Sequence, residues 1–291
     1  MKLALLFLTA LVGCGNPAGS SATPHTKTDP SLEHASHGPE TGQDWAKKRL
    51  AESNRHQEWV ELQSGSRKVK AFVVYPERKD KATVVVLIHE IMGLTDWVMG
   101  VADQLAEKGY IAIAPDFLSG MAPGGGRTID FADVGKAREA ISALPPAQVT
   151  SDLNAACDYA KKIPSANGVV TVGGFCWGGT QTFRFATERK DLAAGFVFYG
   201  TGPTDAAAIG KIQCPIYGFY GANDNRVNAT IPDSEKLMKE AGKIFEPVIY
   251  TGAGHGFMRS GEQPDAEEPN KKARTEGWTR WLAILGKFEK K

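Results

Sequence analysis

The sequence predicts an α/β fold in which a mostly parallel central sheet is covered by helices on both faces. The run Thr83–His89 is continuously apolar and rich in β-branched residues, which is typical of a strand buried on both faces. Strand-like and helix-like segments then alternate to the end of the chain, with 32 glycines available for tight turns. A hydrophobic content of 42% in 291 residues is enough for a full core.

The apolar runs give the expected elements in order. Strands are predicted at Glu58–Leu62, Val69–Tyr75, Thr83–His89, Tyr110–Ala114, Gly168–Gly173, Ala194–Tyr199, Pro215–Tyr220 and Phe245–Tyr250. Helices are predicted at Trp97–Lys108, Asp133–Ala143, Pro146–Ile163, Gly179–Lys190, Pro232–Ala241 and Asn270–Leu285. Because no repeat or linker interrupts this alternation, one domain is expected over residues 45–291.

The first residues have the features of an export signal and are not expected to belong to the folded domain. Lys2 is followed by the apolar run Leu3–Val12, which is too short to span a bilayer alone and indicates a signal peptide over residues 1–13. The run ends in Leu11-Val12-Gly13-Cys14, which resembles the bacterial lipoprotein signal, where the cysteine is lipidated and becomes the new N-terminus. An ordinary signal peptide or a short N-terminal helix is the alternative.

Residues 14–44 are predicted to be a flexible tether, because they are rich in Ser, Thr, Pro, His and Gly and nearly free of large apolar residues. The tether histidines lack the spacing of a metal site. A lipid on Cys14 would hold the protein at a membrane surface of the bacterial cell envelope, on the periplasmic or outer-membrane side. The formal net charge of +1 gives no reason to expect nucleic acid as a partner.

Two local patterns do not lead to cofactor or metal sites. His89-Glu90 is not followed by a second histidine four residues later, which excludes the zinc-protease pattern. The glycines before Arg127 lack the Gly-Lys-Ser/Thr of a phosphate-binding loop, so a surface loop is expected there, with a substrate-facing Arg127 as the alternative. No cofactor and no metal is expected.

Cys176 is the predicted nucleophile. It lies in Gly174-Phe-Cys-Trp-Gly178, between a predicted strand and a predicted helix, which is the nucleophile elbow of α/β-hydrolases with Cys where Ser is more usual. The elbow is so sharp that a Cβ atom at Gly174 or Gly178 would clash. The helix that follows favours the thiolate through its partial positive charge. A buried structural cysteine is the alternative.

The base and the acid are expected after the nucleophile in the chain. His255 is the only histidine C-terminal to Cys176, and it follows a predicted strand. Asp224 follows the preceding strand and is predicted to orient the His255 imidazole. The alternatives are a loop-capping role for Asp224, or a different acid such as Asp233 in its place. The backbone N–H groups of Ile91 and Trp177 are the candidate oxyanion hole.

These residues resemble the dienelactone hydrolase family, over about residues 57–287. The resemblance is carried by Glu90-Ile-Met-Gly, Ala114-Pro-Asp116, Gly174-Phe-Cys-Trp-Gly-Gly and Ala253-Gly-His-Gly-Phe. It implies an α/β-hydrolase fold and a Cys176–His255–Asp224 triad. It also implies that Glu90 contacts the resting cysteine and helps to generate the thiolate, and that Arg259 binds a substrate carboxylate. A second family arginine, expected shortly after Asp116, is absent.

The predicted activity is hydrolysis of an activated ester or lactone through an acyl-cysteine. Because a thiolate is itself a good leaving group, the substrate must carry a better one, as enol lactones, aryl esters and thioesters do. Trp97, Trp177 and Phe257 are expected either to line an apolar substrate pocket or to belong to the core.

Two other functions stay open at this point. One is a non-catalytic, surface-tethered binding protein on a hydrolase scaffold. The other is a thiol redox protein that uses Cys176. Cys157 and Cys214 are expected either to form a disulfide or to be two buried free thiols.

Overall fold

The computed structural model describes residues 42–289, which form a central eight-stranded sheet with helices on both faces. The strands are β1 Gln57–Ser64, β2 Arg67–Val74, β3 Ala82–Ile88, β4 Ile111–Pro115, β5 Ala166–Phe175, β6 Gly195–Phe198, β7 Ile216–Gly221 and β8 Phe245–Tyr250. The helices are α1 Asp44–Ala51, α2 Asp96–Glu107, α3 Val134–Ser142, α4 Pro146–Lys162, α5 Trp177–Glu188, α6 Ala206–Ile209, α7 Asn225–Asn228, α8 Ile231–Glu240, α9 Phe257–Ser260 and α10 Glu268–Leu285.

The strand order is β1-β2-β4-β3-β5-β6-β7-β8. The pairs β1–β2 and β2–β4 are antiparallel, and the remaining neighbours are parallel. The eight predicted strands and the predicted mostly parallel sheet are therefore confirmed. Every residue of β3 is buried, as the continuous apolar run indicated.

The six predicted helices are present as α2, α3, α4, α5, α8 and α10, with ends that differ by one or two residues. The sequence analysis did not predict α1, α6, α7 and α9. Three of these are single turns of four residues, and such turns leave no helical periodicity to detect. Helix α1 has only two buried residues, Ala46 and Leu50, at i and i+4.

Two apolar cores lie on the two faces of the sheet. One contains side chains of α3, α4, α5 and α8, and includes Cys157 and Cys214. The other contains side chains of α1, α2, α9 and α10 together with Phe196, Phe198, Tyr217 and Phe219 of β6 and β7. Both cysteines are buried free thiols, which is one of the two predicted alternatives. The other alternative, a disulfide between them, is not observed. Within residues 42–289, no helix is long and apolar enough to span a bilayer.

The proposed signal peptide, Cys14 and nearly all of the tether lie outside the described residues, and these predictions stay predictions. Helix α1 begins at Asp44, next to the predicted start of the domain.

Candidate active site

The predicted site residues lie on four loops at one edge of the sheet. Cys176 follows β5, Asp224 follows β7, His255 follows β8, and the segment from Glu90 to Ile91 lies shortly after β3. These strands are parallel, so their carboxyl ends meet at the same edge. Ligands of open α/β sheets bind at this edge.

The turn at Cys176 has the strained geometry of a nucleophile elbow. Cys176 has φ 55° and ψ −114°, a conformation that L-residues rarely adopt. A Cβ atom on Gly174 would lie 2.2 Å from the carbonyl oxygen of Gly178, and one on Gly178 would lie 2.2 Å from the carbonyl oxygen of Ile88. Helix α5 begins directly after the half-buried Cys176, so its positive end is next to the sulfur.

Asp224 contacts His255 and also caps a helix. The Nδ1–H of His255 donates to Oδ2 of Asp224 at 2.5 Å. The other carboxylate oxygen, Oδ1, accepts from the N–H of Val227 at 3.4 Å and so caps α7. Asp224 therefore both orients His255 and caps α7, although the sequence left these two roles as alternatives. Asp233 lies on α8 and is exposed.

The environment of His255 suits a base that becomes charged. Burial lowers the pKa of His255, but its interactions with Cys176 and Asp224 outweigh burial and raise the pKa to about 9. The contact with Cys176 is the strongest of the raising influences. Both neighbours thus stabilise the imidazolium form of His255.

The candidate oxyanion donors are available for a ligand. Within the described chain, neither the N–H of Ile91 nor the N–H of Trp177 has a hydrogen-bond partner. Their loops are in contact, because the α-carbon of Gly178 lies against the carbonyl oxygens of Ile88 and His89. Backbone donors held in this way can bind a developing oxyanion without reorganisation.

His89 supports this loop, a role that the sequence analysis did not assign. The His89 side chain is fully buried, and its Nδ1–H donates to the carbonyl oxygen of Glu90 at 2.8 Å. Its ring stacks on Trp177 with centroids 5.6 Å apart. Burial lowers the pKa of His89 below its usual value, which keeps the ring neutral. His89 therefore connects the loop after β3 to the elbow.

Glu90 and Arg259 form a buried ion pair. Oε2 of Glu90 lies 2.8 Å from Nε of Arg259, and the Glu90 side chain is only 4% exposed. The described hydrogen-bond partner of Glu90 is thus Arg259, whereas the family resemblance implied a contact with Cys176. Arg259, expected to bind a substrate carboxylate, lies on α9 directly after the His255 loop.

Trp97 and Phe257 belong to the core. The expectation that they line a substrate pocket is therefore corrected, and the alternative of a core position is the one observed. Trp97 is 1% exposed and its ring contacts Phe175 beneath the elbow. Phe257 is fully buried against Tyr199 and Tyr250. Both rings belong to the core because α2 and α9 turn them toward the sheet. Trp177, in contrast, is only half-buried and lies beside the nucleophile.

Tyr199 is the side chain of this region that the sequence analysis missed. It follows β6 with φ 42°, and its fully buried ring lies edge-to-face on the His255 imidazole, with centroids 5.0 Å apart. Gly200 follows it and indicates a turn, but nothing in the sequence indicates a positive φ at the tyrosine itself. A positive φ at a tyrosine depends on tertiary contacts and could not be predicted.

Arg127 has a structural contact. Its guanidinium lies 3.8 Å from the ring centroid of Trp59 on β1, at the outer strand of the sheet. Cys157 and Cys214 lie in the core on one face of the sheet, whereas Cys176 packs against the core on the other face. Among residues 42–289, no second cysteine is therefore available to resolve an oxidised Cys176.

Comparisons with known proteins show the family to which the chain is similar. The family model described as "Dienelactone hydrolase family" matches residues 69–289. A protein of Methylorubrum extorquens is 29% identical over 235 residues, covering 75% of this chain and 77% of its own length. A protein of Saccharolobus solfataricus is 28% identical over 263 residues, covering 78% and 97%. Both are named "Putative carboxymethylenebutenolidase".

Solved structures with the same fold include two proteins that are described as dienelactone hydrolases. A "Putative Dienelactone Hydrolase" from Klebsiella pneumoniae superposes with a TM-score of 0.70 at 24% identity, covering 80% of this chain and 99% of that one. A dienelactone hydrolase from Anabaena variabilis superposes with a TM-score of 0.59 at 19% identity, covering 80% and 99%. At these identities the likeness concerns the fold, which is that of an α/β-hydrolase.

Proposed function

The chain belongs to the dienelactone hydrolase family, and from this we propose that it hydrolyses activated carboxylic esters or lactones through an acyl-cysteine intermediate. The observation that carries the proposal is the contact of His255 with both Cys176 and Asp224 at the carboxyl edge of the sheet. The name carboxymethylenebutenolidase, borne by its relatives, describes the opening of a lactone and supports the same substrate class.

In the first half of the reaction, the Cys176 thiolate attacks the substrate carbonyl carbon beside the His255 imidazolium, which already holds the thiol proton because the pKa of His255 is about 9. Asp224 accepts from Nδ1–H of His255 at 2.5 Å and thereby stabilises the imidazolium. The carbonyl oxygen becomes an anion that the N–H groups of Ile91 and Trp177 can bind. When the carbon–oxygen bond of the ester breaks, the leaving oxygen takes the proton from His255 and an acyl-cysteine remains.

In the second half, water attacks the acyl-cysteine. His255 accepts a proton from the water, the carbon–sulfur bond breaks, and the carboxylic acid leaves while the proton returns to the sulfur. Because the tetrahedral adduct of the first half expels its better leaving group, the ester must have an enol, aryl or thiol leaving group. Ordinary amides do not meet this condition.

The dienelactone substrate itself is not part of the proposal. Pro115-Asp116 continues as Phe117-Leu-Ser-Gly120 and lacks an arginine that could bind a substrate carboxylate beside Arg259. Arg127, the nearest arginine along the chain, is stacked on Trp59 instead. The proposal therefore extends to activated esters and lactones as a class.

Hydrolysis of p-nitrophenyl acetate and of an enol lactone by purified protein tests this function. We expect Cys176→Ala to lose at least about 1,000-fold in kcat/KM, because it removes the only proposed nucleophile. Cys157→Ala, which changes a buried thiol outside the site, should retain the activity. Full activity in Cys176→Ala would show that the mechanism is wrong, and thiol labelling that misses Cys176 would favour a binding protein.

We also propose that residues 1–13 are a signal peptide and that Cys14 carries a lipid anchor. The support is the sequence Leu11-Val12-Gly13-Cys14 after a short apolar run. Mass spectrometry of the protein from a bacterial membrane fraction should find an N-terminal, acylated Cys14. In Cys14→Ala, we expect the protein to leave the membrane fraction, and an unchanged distribution would contradict the anchor.

A further inference from the structure

Tyr199 has a backbone conformation that turns its side chain toward the site. Side chains alternate between the two faces along a strand, so the residue after Phe198 should face away from it. At φ 42°, however, Tyr199 joins the same core as Phe198. Its backbone N–H donates to Phe219 at 2.8 Å, while the carbonyl oxygen of Phe198 accepts from the N–H of Cys176. Among described residues other than glycine, only Cys176 shares a positive φ.

The Tyr199 ring packs on the two residues that flank Gly256. It lies 5.0 Å from the His255 ring and 5.5 Å from the Phe257 ring, both edge-to-face. Gly256 itself is next to Glu90, because a Cβ atom added to it would lie 3.9 Å from Oε1 of Glu90. The ring of Tyr199 and the carboxylate of Glu90 are therefore neighbours around the His255 loop.

The Tyr199 hydroxyl and one carboxylate oxygen of Glu90 both lack a hydrogen-bond partner among the described residues. The Tyr199 hydroxyl is buried and donates to no described residue. Oε2 of Glu90 accepts from Arg259, but no residue in the described chain donates to Oε1. Burial, followed by the negative charge of Glu90, raises the pKa of Tyr199 well above its usual value. The hydroxyl therefore keeps its proton, and a buried tyrosine hydroxyl normally has a partner.

We propose that Tyr199 is a positioning residue whose hydroxyl donates a hydrogen bond to Oε1 of Glu90 during the reaction. Arg259 holds one carboxylate oxygen, and a single contact leaves the carboxylate free to rotate. A second donor on Oε1 fixes its plane and stabilises its charged form beside the nucleophile. This inference rests on the proposed function and on the role that the family resemblance implies for Glu90, which is to help generate the thiolate of Cys176.

The experiment compares Tyr199→Phe with Tyr250→Phe. Tyr250 is a matched control, because its hydroxyl is also buried and its ring also packs on Phe257, but the charged groups that act on it are Arg280 and Glu276. For Tyr199→Phe we expect kcat/KM for an aryl ester to fall about tenfold, the effect of one hydrogen bond to a charged group. The pH–rate profile should shift as well, because the hydroxyl no longer acts on the charged groups of the site.

A double-mutant cycle with Glu90→Gln decides whether Tyr199 acts through Glu90. In the Glu90→Gln background, Tyr199→Phe should cause no further loss and no further shift of the profile. Equal losses in both backgrounds, or an unshifted profile in the single variant, would overturn the inference. A melting temperature more than about 5 °C below wild type would make the role structural and would also overturn it.

The pH dependence of Cys176 alkylation by iodoacetamide separates this inference from the proposed function. Alkylation reports on the thiolate without any ester hydrolysis. If the wild-type protein hydrolyses no activated ester, the proposed function fails. A shift of the alkylation profile in Tyr199→Phe, absent in Tyr250→Phe, would still support the contact with Glu90, and identical profiles would contradict it.

Discussion

At the scale of single residues, the site depends on backbone positions that accept no side chain. The carbonyl oxygen of Ile88 lies where a Cβ atom of residue 178 would be, and it belongs to the buried strand β3, which cannot move away. Gly100 in α2 is a useful contrast, since an added Cβ there would have no atom within 4 Å. An added side chain is therefore excluded at Gly178 and tolerated at Gly100, although both glycines lie in helices.

We expect Gly178→Ala to lower the free energy of unfolding by about 3 kcal/mol or more, because the clash is with backbone. Gly100→Ala should raise it by about 0.5–1 kcal/mol, because alanine is the better helix former. Urea denaturation of both variants measures these changes. Equal stabilities for the two variants would contradict the close approach at the elbow.

His255 links the site to the pH dependence of stability. Its pKa is raised to about 9, so the folded protein holds the proton more tightly than the unfolded chain does. This stabilisation is fully present below about pH 6.5, the ordinary value for histidine, and is lost as the pH rises through about 9. The side chain is 34% exposed, which reduces the effect by solvent screening.

The free energy of unfolding of the wild-type protein, relative to His255→Gln, should therefore fall by about 1–2 kcal/mol between pH 6.5 and pH 9.5. Denaturant unfolding of both proteins at a series of pH values measures the difference. A difference that stays constant over this range, or grows with pH, would mean that Cys176 and Asp224 do not stabilise the imidazolium.

At the scale of elements, one carboxylate joins the short helix α9 to two long helices. Oε2 of Glu262, just after α9, accepts from Nε1–H of Trp97 on α2 at 3.1 Å. Glu262 also accepts from Arg274 on α10, and its side chain is only 7% exposed. Because α9 carries Arg259, these contacts hold the arginine that pairs with Glu90.

Glu262→Ala should cost about 3 kcal/mol of stability, because it leaves the indole N–H of Trp97 without an acceptor and removes the carboxylate that pairs with Arg274. We also expect a higher KM for ester substrates, since α9 would hold Arg259 less firmly. Thermal unfolding and steady-state kinetics measure the two effects. As a control, Glu139→Ala removes an exposed ion pair with Lys136 on α3 and should cost less than about 0.5 kcal/mol of stability. A similar loss of stability in both variants would contradict the role of Glu262 in joining α9 to α2 and α10.

At the scale of the whole molecule, helix α1 is a part of the domain although it begins next to the predicted tether. Its residues Ala46 and Leu50 are buried in the core that contains α2. Just before it, Oε1 of Gln43 accepts from the backbone N–H of Trp97 at 3.0 Å. The start of the domain is therefore fixed by contacts with α2.

A chain that begins at residue 42 should unfold at the same denaturant concentration as one that begins at residue 15, and it should hydrolyse esters equally well. A chain that begins at residue 53 should lose about 3 kcal/mol, because Ala46 and Leu50 no longer cover α2. Urea denaturation of the three proteins checks this. A loss already present in the chain that begins at residue 42 would contradict a tether.

The sequence by itself determined the sheet and the order of the chemical groups. The β-branched run of β3 and the later alternation predicted eight strands because buried strands need continuous apolar residues. The glycines around Cys176 predicted the elbow because no other residue fits there. His255 could be predicted as the base because it is the only histidine after the nucleophile.

The tertiary structure alone decided which side chains meet. The pairing of Glu90 with Arg259, 169 residues apart in the chain, depends on α9 lying next to the loop after β3, and no local pattern encodes it. Trp97 and Phe257 are core residues because of the direction in which their helices pack, which an aromatic side chain does not reveal in the sequence. Tyr199 faces His255 only because neighbouring strands hold its backbone at a positive φ.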